Sequence, residues 1–312
     1  YQIYFIHFFL KLLYLFKNMS LIKGIYAATL SVINENLSLN IDKTIKHAEN
    51  IIDYGCHGVV FFGSTGQSQL ISLSEKIQLI NELPKSKHSE KFIIGTGSNS
   101  LLDIIALMRI SMTLGFNKFL IMPPAYYKYE DNDVINFYSK IINELKECRI
   151  ILYNFEKLCG YKFSIRCIEK LVSKFPNQIV GVKDSSYNLY ENLNIENFSI
   201  LPGSESILIK GLKLGCTGII TATCNVTANL SRKVFDDYNL GLENNSNELL
   251  CNVRNEFDNY NLISALHSYF SIKDKIYQNL IPPLRLLNTI DNERFINNLN
   301  NMQFSTNDLI VA

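Results

Sequence analysis

The sequence predicts an α/β protein whose main unit is a (β/α)₈ (TIM) barrel with additional C-terminal helices. Two observations support this prediction: short apolar runs recur eight times, and amphipathic stretches lie between most of them. Strands that alternate with helices form parallel sheets, and eight repeats suit a sheet that closes into a barrel. An open, doubly wound sheet is the alternative, but the GxGxxG turn that usually follows its first strand is absent after residues 22–30.

The eight predicted strands are rich in Ile, Val, Leu and Phe, and most of them end in Gly, Ser, Thr, Asn or Pro. Runs of this kind are typical of strands that are buried on both faces. They occupy residues 22–30, 58–63, 91–97, 118–124, 149–154, 178–184, 198–204 and 217–223. Their carboxyl ends are expected to meet on one face of the barrel, where this fold places its chemistry.

Amphipathic patterns predict the helices between the strands. Residues 41–53 place Ile41, Ile45 and Ile52 on one face of a helix. Ser74 is expected to be the N-cap of the next helix. The predicted helices cover residues 41–53, 74–83, 100–114, 131–146, 164–175 and 205–214.

The chain is expected to divide into a barrel over residues 19–240 and a helical extension over residues 241–312. Residues 241–252 are polar, which predicts a linker or the start of a helix. Helical patterns follow over residues 255–270 and 281–299, and these helices are expected to pack outside the barrel.

Residues 1–18 are predicted to be a separate N-terminal extension, because residues 1–16 are nearly all apolar. A membrane-spanning helix needs about 20 apolar residues. A signal peptide needs a basic start and a small-residue cleavage site, and this run has neither. The preferred hypothesis is that the native protein starts at Met19, and a membrane anchor is the alternative.

The composition indicates a sizeable core and no strongly charged surface. Hydrophobic residues make up 47% of the chain, charged residues 19%, and the net charge is +1. Nucleic-acid and membrane surfaces attract proteins with a concentrated basic face, so neither partner is expected. The 7 cysteines are odd in number and show no C-x-x-C spacing, which indicates free thiols in a reducing cytoplasm rather than disulfides or a zinc site.

Lys183 is the strongest candidate for a catalytic residue, because it ends the apolar run Ile179–Val182. Its amine is expected to enter a low-dielectric interior, which disfavours the charged ammonium form. A neutral amine is the nucleophile that forms a Schiff base with a carbonyl compound. The position alone also fits a lysine that simply reaches water.

Two tyrosines near other strand ends, Tyr153 and Tyr126, are expected to lie on the same face of the barrel as the lysine. A phenol can move protons during Schiff-base formation and during the making or breaking of a C–C bond. It needs a neighbouring hydroxyl to relay the proton, and Ser64 after the second strand offers one.

The segment around Ser64 is also a candidate for binding a carboxylate. It combines the hydroxyls of Ser64 and Thr65 with Gly63 and Gly66. Glycines let the backbone approach a ligand closely, and consecutive N–H groups form anion-binding concavities.

Four ordered motifs resemble the dihydrodipicolinate synthase / N-acetylneuraminate lyase superfamily. They are GSTG at residues 63–66, ILYN at 151–154, GVKDSS at 181–186 and GCTGIITATCN at 215–225. The resemblance spans residues 21 to about 240. It implies a (β/α)₈ barrel, usually tetrameric, that needs neither metal nor cofactor because a lysine forms a covalent imine with the substrate.

The resemblance also implies roles for individual residues. Lys183 matches the Schiff-base lysine, and Tyr153 matches the tyrosine that transfers protons and positions the substrate. Ser64 matches the relay hydroxyl. Tyr126, if its loop aligns without a gap, matches a tyrosine that the synthases contribute across the interface of a tight dimer.

A second group of matched residues implies where the 2-oxo acid binds. Thr65 would bind its carboxylate with help from the backbone of Gly63 and Gly66. Ile220 matches a residue whose backbone lies beside bound pyruvate.

The chain departs from the pattern of the synthases at several positions. Leu158 stands where they carry an arginine that holds the carboxylate of the aldehyde, and leucine has no donor for a carboxylate. Lys157 beside it is a point charge rather than a bidentate fork. Gln67 replaces the usual glutamate, Ser64 is more like the neuraminate and keto-deoxy-sugar-acid lyases, and Ala28–Leu30 lacks the common Thr-Pro pair.

The resemblance therefore implies a class I pyruvate aldolase or lyase that makes or breaks a C–C bond between pyruvate and an aldehyde. The departures favour a 2-keto-3-deoxy sugar acid or sialic-acid-like substrate. The alternative is a 4-hydroxy-tetrahydrodipicolinate synthase, which condenses pyruvate with aspartate semialdehyde in lysine biosynthesis. An alternative of another class is a catalytically inactive, ligand-binding barrel. The expected enzyme is a cytoplasmic homotetramer, a dimer of dimers, with small molecules as its other partners.

Overall fold

The computed structural model describes residues 21–304, and they contain a parallel strand in each of the eight predicted regions. The strands are β1 Gly24–Ala28, β2 Gly58–Phe61, β3 Phe92–Gly95, β4 Lys118–Ile121, β5 Arg149–Asn154, β6 Ile179–Asp184, β7 Ser199–Pro202 and β8 Gly218–Thr221. Their order in the sheet is β7-β6-β5-β4-β3-β2-β1-β8. The predicted (β/α)₈ barrel is confirmed.

The two strands at the ends of this order, β7 and β8, meet through the residue that precedes β8. The backbone N–H of Thr217 donates to the carbonyl of Ile200 in β7 at 3.0 Å. The Thr217 hydroxyl donates to the carbonyl of Ile22, which precedes β1, at 2.7 Å. Thr217 therefore joins β7 to the start of β8, the two edge strands of the sheet.

Both faces of the barrel wall are apolar, as the continuous apolar runs predict. Successive strand residues point to opposite faces. Val60 and Ile151 belong to the core inside the barrel, whereas their neighbours Val59 and Ile150 belong to the core between strands and helices.

Helices follow most of the strands. They are α1 Ile41–Asp53, α2 Leu73–Glu82, α3 Leu101–Thr113, α4 Asp131–Glu144, α5 Ile165–Lys174, α6 Leu208–Lys213 and α7 Cys224–Asn239. Short single turns occur at Ser64–Gly66, Leu83–Lys85, Ser89–Lys91, Glu156–Cys159 and Glu205–Ile207. Between β6 and β7, residues 185–198 form turns rather than a helix.

The N-cap of α2 is Ser72, so the prediction of Ser74 as the cap was wrong. The Ser72 hydroxyl accepts from the backbone N–H of Glu75, and the Glu75 carboxylate accepts from the backbone N–H of Ser72. This capping box requires an acidic or amide side chain three residues after the cap, and Glu75 stands at that distance from Ser72.

Within the described range, the C-terminal extension contains three α-helices and one single turn, Lys275–Gln278. The α-helices are α8 Asn247–Asp258, α9 Leu262–Ser271 and α10 Thr289–Asn301. Asn261 separates the first two, because its side chain accepts from the N–H of Ser264 and starts a new helix. The last helix begins at Thr289, later than the predicted residue 281. Pro282 and Pro283 precede it, and proline has no N–H to donate to a helix.

The C-terminal helices pack against the carboxyl end of the barrel. Phe257 of α8 and Tyr269 of α9 share a core with Leu30 and Val32, which follow β1. This contact brings the extension beside the loops that leave the strands.

The predictions for residues 1–18 lie outside the described residues. Within residues 21–304, no helix combines the length and the apolar character that crossing a bilayer requires. All 7 cysteines fall in this range as free thiols, and Cys251 is the one that is not buried.

Candidate active site

Lys183 lies at the carboxyl end of β6, and its side chain is only 4% exposed. The strand register places it directly beside Tyr153 of β5. Its Nζ atom donates to the Tyr153 hydroxyl at 3.2 Å and lies 4.2 Å from the centroid of the ring. The amine and the phenol that the sequence predicts to cooperate are therefore in direct contact.

Ser64 extends this contact into a line of three polar groups. It begins the single turn Ser64–Gly66 after β2, and its Oγ lies 3.0 Å from the Tyr153 hydroxyl. Tyr153 is 4% exposed, so its hydroxyl exchanges hydrogen bonds mainly with these two partners. A proton can pass between Lys183 and Ser64 through the phenol.

The residues next to Lys183 and Tyr153 fix the ends of the two strands. The Asn154 amide donates to the Asp184 carboxylate at 2.8 Å. Asp184 also accepts from the backbone N–H groups of Tyr187, Leu189 and Tyr190. Because side chains alternate along a strand, this buried carboxylate is turned away from the lysine and organises the loop after β6 instead.

The backbone of the Gly63–Gln67 segment is constrained on both sides. Phe62 and Gln67 adopt left-handed φ values of 53° and 55°, which are uncommon for residues other than glycine. A Cβ atom on Gly66 would lie 2.9 Å from the carbonyl oxygen of Thr29. Such strained conformations concentrate at functional sites. Here they belong to the turn that holds the Ser64 hydroxyl within hydrogen-bond distance of the Tyr153 hydroxyl.

Gln67 ties this segment to the C-terminal extension. Its carbonyl oxygen accepts from the N–H of Ile281 at 2.9 Å, and its amide nitrogen lies 3.3 Å from Nε2 of His267. Nδ1 of His267 lies 2.9 Å from the carbonyl oxygen of Tyr277. A carbonyl only accepts, so Nδ1 carries the proton, Nε2 is a bare acceptor, and the Gln67 amide donates to it.

A buried ion pair lies beside the carboxyl ends of β7 and β8. Glu205, which follows β7, lies 3.1 Å from Nη1 of Arg254 in α8. The Thr221 hydroxyl at the end of β8 donates to the same carboxylate at 2.5 Å. Burial alone would raise the pKa of the Glu205 carboxyl, but the charge of Arg254 and the bond from Thr221 hold it below its usual value.

The predicted substrate-binding residues lie around the line of three polar groups. Ile220 of β8 is buried and shares the inner core with Tyr153. Thr65 is also buried, and it follows Ser64 in the turn. Its N–H group, near the start of that turn, has no acceptor within the turn, and Gly63 lines a neighbouring cavity.

Tyr126 does not reach this line within the single chain. Its side chain is 90% exposed, and its ring packs edge-on against Tyr127 at 5.2 Å. The residue has a strained φ of 88° on the loop after β4. Within one chain, Tyr126 does not face the site of Lys183 as expected, because the loop directs its ring into solvent. The role of Tyr126 remains a prediction.

A cavity of about 440 Å³ opens beside Tyr153 and Ser64. Leu158, on the single turn after β5, also lines it and is 45% exposed. The position that departs from the synthase pattern thus faces the space next to the predicted proton relay.

Sequence reasoning identified Lys183, Tyr153 and Ser64, which the fold brings together. It gave no role to Asp184, although that residue follows the lysine in the motif. It also missed Arg254, because no local pattern relates α8 to the end of β7.

The comparisons with known proteins agree with the fold. A model of the dihydrodipicolinate synthetase family matches residues 21–277. A solved structure of the prophage protein YagE from E. coli K12, of the dihydrodipicolinic acid synthase family and in complex with pyruvate, has a TM-score of 0.81 and 18% identity. The alignment covers 92% of this chain and 100% of that chain.

Two relatives illustrate the range of names within the match. An uncharacterized DapA-like lyase of Chloroflexus aurantiacus is 30% identical over 197 residues, which are 61% of this chain and 66% of that protein. An N-acetylneuraminate lyase of Clostridium perfringens is 28% identical over 223 residues, which are 69% of this chain and 75% of that protein. With the family model matching most of its length, the chain belongs to the dihydrodipicolinate synthetase family of lyases and aldolases.

Proposed function

We propose that this protein is a class I pyruvate aldolase or lyase in which Lys183 forms a Schiff base with the 2-oxo acid. One observation carries the proposal: Lys183, Tyr153 and Ser64 form an unbroken line of hydrogen bonds inside the barrel, with distances of 3.2 Å and 3.0 Å. A buried amine next to a phenol is the arrangement that imine formation needs.

The first half of the reaction forms the imine. The neutral amine of Lys183 attacks the carbonyl carbon of pyruvate, and the carbinolamine loses water after Tyr153 protonates the departing hydroxyl. The positively charged imine then withdraws electrons, so that the Tyr153 phenolate takes a proton from the methyl carbon and an enamine forms. Thr65, with the backbone of Gly63, binds the carboxylate during these steps. The N–H of Gly66 already donates to the carbonyl of Gly63 at 3.1 Å, so this glycine offers the carboxylate no backbone donor.

The second half makes the C–C bond. The enamine carbon attacks the carbonyl carbon of the aldehyde, and the resulting alkoxide takes a proton from Tyr153. The phenolate regains its proton through Ser64, which relays the proton that hydrolysis of the imine releases. Water then hydrolyses the imine, which releases the product and restores the amine of Lys183; the cleavage reaction runs through the same steps in reverse.

The leucine at position 158 favours one of the two acceptor aldehydes that the sequence leaves open. Aspartate semialdehyde carries a carboxylate, which is best held by a bidentate arginine, and Leu158 offers no hydrogen bond. An aldehyde without a carboxylate, such as the one released from a 2-keto-3-deoxy sugar acid or a sialic acid, needs no such partner. This observation favours the sugar-acid reading over the 4-hydroxy-tetrahydrodipicolinate synthase reading.

The alternative of another class is a barrel that binds its ligand without catalysis. Direct contact between Lys183, Tyr153 and Ser64 argues against it, because ligand binding alone does not require a relay. The homotetramer and the cytoplasmic location that the resemblance implies remain part of the proposal.

Borohydride trapping tests the proposal. The purified protein is incubated with pyruvate, reduced, digested and examined by peptide mass spectrometry, with Lys183→Arg and Lys157→Ala as matched variants. We expect an adduct on Lys183 in the wild type and in Lys157→Ala, and none in Lys183→Arg. A folded wild-type protein that gives no adduct on Lys183 would contradict the Schiff-base mechanism.

A further inference from the structure

Two neighbouring cations lie at the amino-terminal end of the barrel, the end opposite the site of Lys183. They are Lys118, which begins β4, and Arg149, which begins β5. We propose that these two side chains bind a small oxyanion, such as a phosphate or carboxylate group, at this end of the barrel. The proposal concerns a second site and does not depend on the chemistry proposed for Lys183.

Both cations point towards the inside of the barrel, and they are direct neighbours. The strand register pairs Lys118 with Arg149. Side chains alternate along a strand, and Leu120 and Ile151, two residues further along each strand, belong to the core inside the barrel. The residue that follows each cation belongs instead to the core between strands and helices. The two positive charges therefore share one face of adjacent strands.

Neither cation is neutralised by the chain within residues 21–304. Both side chains are partly buried, and the ion pairs in this range involve other residues. The Nε atom of Arg149 is buried and has no hydrogen-bond partner. Buried polar atoms are nearly always hydrogen-bonded, so this N–H group points to an acceptor from outside the described chain.

The surroundings of both groups disfavour positive charge. Burial lowers the pKa of Lys118, and the charge of Arg149 lowers it further. Burial also lowers the pKa of Arg149. Two like charges that are partly removed from water repel each other and destabilise this end of the barrel. An oxyanion bound between them offsets the repulsion, so its binding should stabilise the folded protein.

The nearby carboxylates compete weakly for these cations. The charge of Glu90 raises the pKa of Lys118, but Glu90 is exposed and forms no ion pair with that lysine among the described contacts. Glu147, in the loop before β5, is exposed as well. Water and salt screen the attraction of exposed carboxylates, so most of the positive charge is available to a ligand.

A cavity of about 390 Å³ gives access to Lys118 at this end of the barrel. It lies between the residues that precede β3 and those that precede β4, and Ser89, Glu90 and Asn117 also line it. A water molecule occupies about 30 Å³ in the liquid, so a hydrated phosphate group can enter. Arg149 is on the other side of Lys118, and its planar guanidinium matches two oxygens of a phosphate or carboxylate.

Calorimetric titration of the full chain with inorganic phosphate tests the proposal. It is done in chloride buffer at constant ionic strength and at pH 8, where a phosphate group is mainly a dianion. We expect one site per chain. Arg149→Met and Lys118→Met should each weaken the binding by about tenfold or more, because hydrogen bonds to charged groups contribute that much. Arg109→Met removes an exposed cation that already pairs with Glu144, and it should leave the affinity unchanged.

Glu90→Gln is a variant with the opposite expected effect. It removes the negative charge that acts on Lys118, so it should strengthen phosphate binding a few-fold. Urea denaturation adds a second measurement: phosphate should raise the midpoint of the wild type and leave that of Arg149→Met unchanged. If Arg149→Met fails to fold, Lys118→Met provides the same comparison. Absence of binding to the wild type, or equal affinity in the wild type and both Met variants, overturns the proposal.

Glycerol 3-phosphate and succinate identify the source of the oxyanion under the same conditions. Tighter binding of glycerol 3-phosphate than of inorganic phosphate supports a phosphate monoester as the ligand. Tighter binding of succinate supports a dicarboxylate, and strongest binding of inorganic phosphate supports the free ion. In each case the preferred anion must lose affinity in Arg149→Met and in Lys118→Met. An anion whose affinity is unchanged in both variants binds elsewhere and contradicts the assigned site.

Discussion

The amide of Gln67 donates to the bare Nε2 atom of His267 across 3.3 Å, and this bond joins the turn that holds Ser64 to the C-terminal extension. Burial lowers the pKa of His267 to about 4, so the imidazole is neutral near pH 7. The family pattern has a glutamate at position 67, and a carboxylate could not donate to Nε2. The Gln67 amide can therefore donate to the neutral His267, which an ionised glutamate could not do.

Gln67→Glu is predicted to destabilise the protein and to impair catalysis. At pH 7.5 the carboxylate faces an acceptor, and an unsatisfied buried polar pair costs roughly 1–3 kcal/mol. At pH 5.5 a proton taken up by the pair restores the hydrogen bond, so the loss should be smaller. Urea denaturation and kcat/KM at both pH values check this, with Gln78→Glu, at an exposed position of α2, as the control. Equal effects of the two substitutions would contradict the hydrogen bond from Gln67 to His267.

Stability is predicted to fall as the pH drops from about 6.5 towards 4. Burial lowers the pKa values of His47 and His267 to about 4. Below pH 6.5 the unfolded chain binds protons at both positions and the folded chain does not, so the free energy of unfolding decreases. The contribution of the two histidines levels off below pH 4. Each histidine contributes roughly 3 kcal/mol at most, at about 1.4 kcal/mol per pKa unit.

Urea titrations at several pH values measure this dependence. Carboxylates with lowered pKa values, such as Asp53 and Asp274, act in the same direction. His267→Gln should therefore flatten the curve only in part. The control His88→Gln removes a partly buried histidine that pairs with Asp53, and it should leave the His267 contribution in place. Identical slopes in the wild type and His267→Gln would show that His267 is not buried in its neutral form.

The central part of the site could be predicted because the fold itself aligns it. In a parallel barrel the strand ends lie on one face, and residues that end adjacent strands become neighbours without further information. Tyr153 and Lys183 end β5 and β6, and their register makes them partners. Apolar runs also predicted every strand, since burial on both faces removes polar residues from them.

The rest of the site depends on contacts that no local pattern encodes. Gln67 and His267 are separated by 200 residues, and Glu205 and Arg254 by 49. Their pairing follows from how the C-terminal helices pack on the barrel. Tyr126 shows the same limit, because the direction of an exposed loop depends on strained backbone and not on a strand end.

Tyr153→Phe is predicted to separate imine formation from turnover. The phenol is the proton donor in the proposed reaction, and removal of a general acid usually costs about 10²–10⁴-fold in rate. Trapping of pyruvate on Lys183 should still occur, but more slowly. Measurement of kcat beside the trapping rate tests this, with Tyr190→Phe as a control because its hydroxyl bonds to Glu191 on the surface. A kcat within a few-fold of the wild type would exclude the relay role.

Arg254→Met is predicted to be among the most destabilising single substitutions. It leaves Glu205 buried without its cation, which typically costs about 3–5 kcal/mol. Arg232→Met removes a surface pair with Asp236 and should cost about 1 kcal/mol or less. The double variant Arg254→Met/Glu205→Leu should recover part of the loss, because it removes both charges. If Arg254→Met and Arg232→Met shift the urea midpoint equally, the Glu205–Arg254 ion pair does not stabilise the folded protein more than a surface pair does.

Tyr126 is predicted to act in the site of a neighbouring subunit. Its ring is 90% exposed in one chain, and a strained φ holds the loop in place. We expect Lys183→Arg and Tyr126→Phe each to reduce activity strongly. When the two proteins are unfolded together, refolded and assayed, mixed assemblies should recover activity, because some sites receive an intact Lys183 from one chain and an intact Tyr126 from the other. Tyr127→Phe, which changes the ring that packs against Tyr126, serves as the control and should retain most activity alone. If the mixture is no more active than the sum of its parts while size-exclusion chromatography shows mixed assemblies, then Tyr126 works within its own chain or not at all.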